Sequence, residues 1–425
     1  MTSSQFILID QNLRNFGGHY WEYDTSIAKY FSGYDHKVSV FTHASASTSL
    51  ICSFADFIPW FSLTSADIYR PALYRHINQR FSKLPRSLLA FMKAVYKGGK
   101  FLRRFLTFSK KMHTATPSLK TLPFGAECVA AIRRCHAGGN DSVFIQTVHT
   151  EELRSLSAAL AGIAIEECPR LLVMLRREPE EASMTGLCEA LAPLAYLQGK
   201  KLFFFADTWA LADAYRDQFG LDVKTVPVIC DVSLIRQRLT APKGTAKTLV
   251  YLGDARTEKG FQLLPLLLEE LAHSYPAFSE LEFHFQSYVP PDLYEGEVEA
   301  AIRKLQKMSQ VFLYDTALSQ EAFIDLLMKG DIILLPYDAA RYRRRSSGIL
   351  MQATAAGKVA VVPASTWFAK SVPADAVQSF TPGNLASAVR QVLDRYGGLE
   401  TAARECGKTF DFQTILGEFY QCLMS

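Results

Sequence analysis

Three arginines, Arg343, Arg344 and Arg345, run directly into Ser346, Ser347 and Gly348. The flanking apolar runs, Ile332 to Leu335 and Val359 to Val362, read as strands, and the block between them as a basic loop followed by a helix. Ser346 and Ser347 can cap the helix start, Ala353, Ala355 and Ala356 favour its body, and Gly357 stands where a left-handed C-terminal cap is wanted. The unpaired backbone N–H groups and dipole of such an N-terminus favour an anion, and Gly348 lets one approach the backbone closely. A diphosphate fits there. An arginine run before an ordinary surface helix is also a common solvated loop, and charge alone does not separate the two readings.

Further polar residues fall where strands end. Arg256 and Lys259 follow the strand that begins at Thr248 and lie beside Gly260, a pairing of two cations suited to phosphate oxygens. His149 ends the run Ser142 to Val148, Arg176 and Arg177 end Arg170 to Leu175, and Asp207 ends Lys201 to Ala206. The C-terminal edge of an open parallel sheet is where ligands sit, which raises His149 and Arg177 above the background, although a lone histidine is often structural.

The elements that must position these groups follow a βα rhythm. Phe6 to Ile9 is a strand, Gly17 and Gly18 form a turn, and a helix continues through Ile27, Ala28 and Phe31. The GxGxxG spacing of dinucleotide sites is absent. His36 to Thr42 is the next strand, placed near a sheet edge. The rhythm breaks from Leu50 to about Ala131 and then resumes, with helices over Glu152 to Ile165 and Thr208 to Phe219, the latter closed by Gly220. Val226 to Ala246, with Pro227 and APKGTAK, reads as an interdomain connection. A second βα series starts at Thr248 and includes EFHFQ, VFLY and the strands at Ile332 and Val359. Two such series predict two Rossmann-type domains facing one another across a cleft.

Length and composition agree. A chain of 425 residues exceeds one ordinary core, and 49% hydrophobic content supports two. No apolar run reaches the roughly 18 to 20 residues of a membrane span, and Met1 to Asp10 lacks the basic start of a secretory signal, so a cytoplasmic protein is expected. The eight cysteines lack CxxC pairs or histidine neighbours at ligand spacing and are expected to be buried, reduced thiols. The net charge of +4 is uneven: Ala66 to Lys120 holds 13 Lys and Arg against one acid, Asp67, leaving 33 bases and 41 acids elsewhere. Within it, SLLAFMKAVYKGGKFLRRFL reads as a basic amphipathic helix, suited either to an anionic membrane surface or to packing on a core with its lysines in water. The motifs of nucleic-acid readers are missing, so no nucleic-acid partner is expected.

At YLGDARTEKGF, and again at LLPYDAARYRRRSSGILMQATAAGKVAVVP, the chain resembles the retaining nucleotide-sugar glycosyltransferases of the GT-B fold, in particular the large family 4 group. The Gly17–Gly18 turn, HKVSVFT and FADTWALADAYRDQFGLDVKTVPVICD fall in the family's order, whereas residues 50–140 match nothing recognisable. The resemblance implies that Arg256 and Lys259 grip the donor diphosphate. Gly17, Gly18, Arg345, Ser346, Ser347 and Gly348 would help hold the donor, with the base near Tyr314. His149 would lie near the reacting sugar and Arg177 on the acceptor side. The family's two glutamates, seven residues apart, are replaced by Arg344 and Gln352; Gln352 can still offer a carbonyl oxygen to ribose hydroxyls.

The expected organisation is an N-terminal acceptor-side domain over residues 1–230, with the basic insert near 50–140, and a linker over 231–246. A C-terminal nucleotide-sugar domain over 247–405 and a terminal helix over 406–425, packing back on the first domain, complete it. The function implied is transfer of a sugar from a nucleoside diphosphate to a glycan or lipid-linked acceptor, with retention, in cell-envelope polysaccharide synthesis. It would proceed without a metal or other cofactor, in a protein peripheral on the inner face of the plasma membrane. Two alternatives stay open: a nucleotide-sugar epimerase of the same fold, and a degenerate member that binds a sugar nucleotide without turnover.

Overall fold

The structure is a computed structural model that describes residues 4–14, 18–46, 52–65, 123–161, 163–228, 232–290, 295–409, 416–417 and 419–421. The basic amphipathic stretch at 88–106 lies outside the described residues, as does Gly17. Two parallel sheets are present, of seven and six strands.

The first sheet runs in the order β3-β2-β1-β4-β5-β6-β7. Its strands are β1 (Gln5–Asp10), β2 (Lys37–His43), β3 (Asp56–Phe61), β4 (Ser142–Ile145), β5 (Arg170–Leu175), β6 (Leu202–Ala206) and β7 (Val223–Thr225). Five consecutive residues of β1 and of β5 are buried, the continuous apolar pattern of strands covered on both faces. Ile9 lies opposite Ile145, so the ends of β1 and β4 meet at one edge. Helices α1 (Gly18–Ser32), α2 (Pro123–Arg134), α3 (Thr150–Leu160) and α4 (Trp209–Phe219) accompany these strands. Thr208 caps α4 by accepting from Leu211 N, and Gly220 ends it in a left-handed conformation.

Two sequence expectations change here. The break in rhythm after Leu50 conceals β3, whose Pro59 disguises it; an edge strand tolerates the missing donor. The strand β7 lies just before Val226, between the helix closed by Gly220 and the connection, where the sequence reading places no element.

The second sheet has the order β10-β9-β8-β11-β12-β13. Its strands are β8 (Thr248–Tyr251), β9 (Glu282–Gln286), β10 (Val311–Tyr314), β11 (Ile332–Leu334), β12 (Val359–Pro363) and β13 (Val377–Phe380). The helices used below are α5 (Ser233–Gln237), α6 (Gly348–Ala355) and α7 (Leu385–Thr409). Ser347 caps α6 and Gly357, at φ 63°, follows it, as the local sequence predicts.

The segment read in sequence as a connection carries structure of its own. It holds α5, and buried Glu400 of α7 accepts from the backbone of Lys243 and Gly244 at 3.1 and 2.8 Å. Burial alone would raise the Glu400 carboxyl, but the Gly244 and Lys243 amides and Arg404 outweigh it and hold the group below its ordinary range. Asp331, also buried, accepts from Lys243 Nζ at 2.6 Å and from the amides of Lys247 and Thr248.

By internal contacts the chain divides into two compact units: Met1–Asn15 with Phe31–Phe204, and Phe16–Tyr30 with Phe205–Ser425. Among the described residues no helix is long and apolar enough to cross a membrane. Of the six described cysteines only Cys128 and Cys168 are buried and Cys188 is exposed, which corrects the expectation of uniformly buried thiols; none is bridged.

Candidate functional site

In the second unit the chain leaves β8 through Leu252 and Gly253, turns, and returns to β11 near Pro336. Gly253 has φ 94°, and a Cβ there would lie 2.7 Å from Lys259 Nζ and 2.9 Å from Ile349 Cδ1. Only a glycine admits that convergence. Gly260 is equally constrained, since a Cβ would collide with the Pro336 carbonyl. Two glycines therefore draw the Arg256–Lys259 turn onto the first turn of α6. The Gly253 amide is fixed by Gln286 Oε1 at 2.7 Å and the Asp338 amide by the Glu258 carbonyl at 2.9 Å.

The two cations of this turn are placed differently. Arg256 lies between Asp254 at 2.7 Å and Glu258 at 3.1 Å. Burial opposes its charge, but the two carboxylates overcome this and hold the guanidinium cationic above its ordinary range. Lys259, partly buried, has no hydrogen bond or ion pair among the described residues. Burial, and then Arg256, push its ammonium down to about 8, with Asp254 and Glu258 pulling the other way. A lysine held half-desolvated beside a helix N-terminus is prepared for an anion that would complete its coordination.

Ser347 Oγ accepts from Leu350 N at 3.3 Å and so satisfies one of the orphan donors of α6. Tyr337 beneath it is buried; burial pushes its phenol up, with a bond to Ser347 acting against this. Ser346 donates to Asp207 Oδ2 at 2.6 Å, and Thr208 Oγ1 donates to the Arg344 carbonyl, all four residues belonging to the second unit. Arg345 is half-buried and Gly348 begins the helix. Gln352, a turn further on, donates Nε2 to both oxygens of Glu22 on α1, at 2.9 and 2.8 Å. Gly18 is the first residue of α1. Tyr314 stands at the same sheet edge two strands from β8, and its hydroxyl meets His284 Nδ1 at 2.9 Å.

The first unit holds the other candidate. His149 is buried at the start of α3, and its Nδ1 lies 2.8 Å from Glu152 Oε2, which also accepts from the His149 amide at 2.7 Å. Arg177 Nε lies 3.2 Å from His149 Nε2. A carboxylate only accepts and a guanidinium only donates, so the imidazole carries its proton on Nδ1 and offers the Nε2 lone pair. Arg177, 40% exposed, also reaches Glu181 at 4.0 Å. Glu152, fully buried, accepts on its second oxygen from Ser65 at 2.7 Å and from Gln11 Nε2. His149 and Arg177, singled out separately in sequence, are thus in direct contact.

Sequence reasoning missed Glu152, Gln11, Ser65, Asp254 and Glu22. Glu152 alone had a signal, an acid three residues after His149 at the capping-box spacing.

No family model matches the chain, and no curated protein matches it by sequence. Solved structures do. The sucrose-phosphate synthase from Thermosynechococcus elongatus superposes with TM-score 0.65 at 13% identity, covering 99% of each chain. A structure described as trehalose-6-phosphate from E. coli bound with UDP-2-fluoro glucose gives 0.65 at 11%, again with 99% of each chain covered. A glycosyltransferase from Rickettsia africae ESF-5 gives 0.63 at 10%, covering 100% of this chain and 98% of that one. The chain has the GT-B fold, two Rossmann-like units, as the resemblance implies.

Proposed function

We propose that this protein is a glycosyltransferase that moves a sugar from a nucleoside diphosphate sugar to an acceptor hydroxyl, with retention and without a metal. The observation that carries this reading is the convergence of Lys259 Nζ, Gly253 and Ile349 at the N-terminus of α6. A cation with no hydrogen bond or ion pair among the described residues and a row of backbone donors there suit the charge that a diphosphate acquires as it leaves. In the reaction proposed, the bond from the anomeric carbon to the diphosphate oxygen breaks as the acceptor oxygen bonds to that carbon. The acceptor proton passes to a diphosphate oxygen on the same face. Arg256 positions the turn through Asp254 and Glu258, and His149, by the resemblance, lies near the reacting sugar with its ring held between Glu152 and Arg177.

UDP sugars are the first donors to try, since the E. coli relative in fold is described with UDP-2-fluoro glucose. The acceptor we assign is a glycan or lipid-linked sugar in cell-envelope polysaccharide synthesis, at a cytoplasmic membrane face. The support for the membrane is the charge of residues 66–120, read from sequence. Failure to sediment with anionic vesicles at moderate salt would remove that part alone.

The deciding experiment is a thermal-shift panel of UDP, GDP, ADP and their sugar conjugates on wild type and Lys259→Ala. A ligand at about 100 times its dissociation constant stabilises by roughly 2.7 kcal/mol. One nucleotide is expected to stabilise wild type and to lose most of that effect in the variant. If none does, the donor site is wrong and the chain is a non-catalytic member of the fold.

A further inference from the structure

The segment that leads into α6 has a second surroundings that the donor reading does not use. A cavity of about 290 Å³ lies in the second unit, lined by Trp209 and Asp213 of α4, Arg343 and Arg344 of the loop, and Trp367 and Lys370 beyond β12. The volume is at the small end of ligand pockets and suits one substituted monosaccharide better than a nucleotide sugar. None of these residues belongs to the Lys259–Gly253–α6 convergence.

Its chemistry is specific. Trp209 is 47% exposed, an unusual state for an indole, whereas Trp367 is 7% exposed. The Trp367 Nε1 donor is buried without a hydrogen-bond partner among the described residues, and an indole N–H removed from water ordinarily finds one. The Trp367 backbone is fixed by its amide donating to the Arg343 carbonyl at 2.9 Å, so the loop and the indole are held as one wall. Flat apolar rings that carry polar edges match the C–H face and hydroxyl rim of a pyranose. The lining is positive on balance, with Arg343, Arg344 and Lys370 against Asp213, which pairs with Arg216 at 2.6 Å, and one further acid. Asp217 is the other acid in the lining. Guanidinium and ammonium groups of this kind select phosphate or carboxylate.

We infer that this cavity binds a pyranose carrying one anionic group, a sugar phosphate or a uronate, at a site separate from the diphosphate-binding residues. Under the proposed function it recognises a charged sugar of the acceptor. The binding itself does not depend on that reading.

The test is isothermal titration of the full chain, without nucleotide, with glucose 6-phosphate, glucuronate, glucose and inorganic phosphate. At least one of the two charged sugars is expected to bind saturably, at least tenfold tighter than glucose or phosphate, and the two arms separate phosphate from carboxylate recognition. Trp209→Ala and Lys370→Gln, both at exposed positions, are each expected to weaken it tenfold or more while leaving the thermal shift given by a nucleotide unchanged. The inference is overturned if neither charged sugar binds, if either variant binds as wild type does, or if glucose or phosphate alone binds equally well, an adventitious ion only in the latter case. It is also overturned if the variants lose the nucleotide response, because the site would then not be separate. If no nucleotide binds wild type, the transferase reading falls and this titration still stands or falls by itself.

Discussion

Gln352 holds Glu22 through one side-chain amide nitrogen bonded to both carboxylate oxygens, at 2.9 and 2.8 Å, between residues 330 apart in sequence. The position where the resemblance expects a glutamate therefore carries an amide whose role is to anchor a carboxylate from another helix. Placing a glutamate at this position should be harmful. Gln352→Glu would set two carboxylates against each other at a buried position and remove the donor, a loss of about 1–3 kcal/mol. Glu22→Gln in the same chain should recover much of it. Thermal denaturation of the two single variants and the double variant reads the coupling, and equal melting temperatures for wild type and Gln352→Glu would show that the pair carries no weight.

Gly253 makes a sharper demand. At φ 94°, with Lys259 Nζ and Ile349 Cδ1 both within 3 Å of where a Cβ would stand, Gly253→Ala combines backbone strain with a displaced ammonium. Strain of this kind costs about 1–3 kcal/mol. The variant should melt lower and should also bind its nucleoside diphosphate at least tenfold more weakly by calorimetry. Unchanged affinity in a folded variant would dissociate Lys259 from the ligand.

The parts of this arrangement that are local in sequence are legible there. Ser347 and Gly357 delimit α6 by the cap chemistry of neighbouring residues, and Lys259 and Gly260 stand out beside a strand end. Non-local partners leave no such mark. Glu22 is an ordinary helical glutamate until the fold brings it to Gln352, and Ser65 and Gln11 are ordinary polar residues until they meet buried Glu152. Pro59 hides β3 because propensity opposes a strand and the edge position that tolerates it belongs to the whole sheet. Arg256 and Lys259 look equivalent in RTEKG. Only the placement of Asp254 and Glu258 around Arg256 separates a cation paired with two carboxylates from one with no ion pair among the described residues.

Glu152 is expected to act through His149. Its oxygens accept from the His149 ring and amide, from Ser65 and from Gln11, so Glu152→Gln leaves at least one of these donors facing a donor. The cost to stability should be about 1–3 kcal/mol. Loss of the fixed Nδ1–H tautomer should lower kcat without altering nucleotide affinity, whereas His149→Ala should lower kcat by about 10²-fold, the span of a lost positioning contact. Steady-state kinetics with a nucleotide titration on both variants makes the check. A His149→Ala enzyme with wild-type kcat would reduce this histidine to a structural cap.

Lys259 gives the protein a pH signature that runs in opposite directions for folding and for binding. Burial and Arg256 bring its ammonium down to about 8, while an unfolded lysine keeps its proton to about 10.4. Between these values the unfolded chain binds more protons than the folded one, so the contribution of this group to stability rises with pH through that window. Below pH 8 the fold carries the cost of a desolvated cation. Under the proposed function the diphosphate is held by that cation, so affinity should be full near pH 7 and fall as pH passes about 8, approaching tenfold per unit until the lysine contribution is lost. Lys259→Arg, whose side chain stays charged, should flatten the profile between pH 7 and 9. Calorimetric titrations of the nucleoside diphosphate across that range decide it: a wild-type profile as flat as that of Lys259→Arg would mean that another group meets the diphosphate.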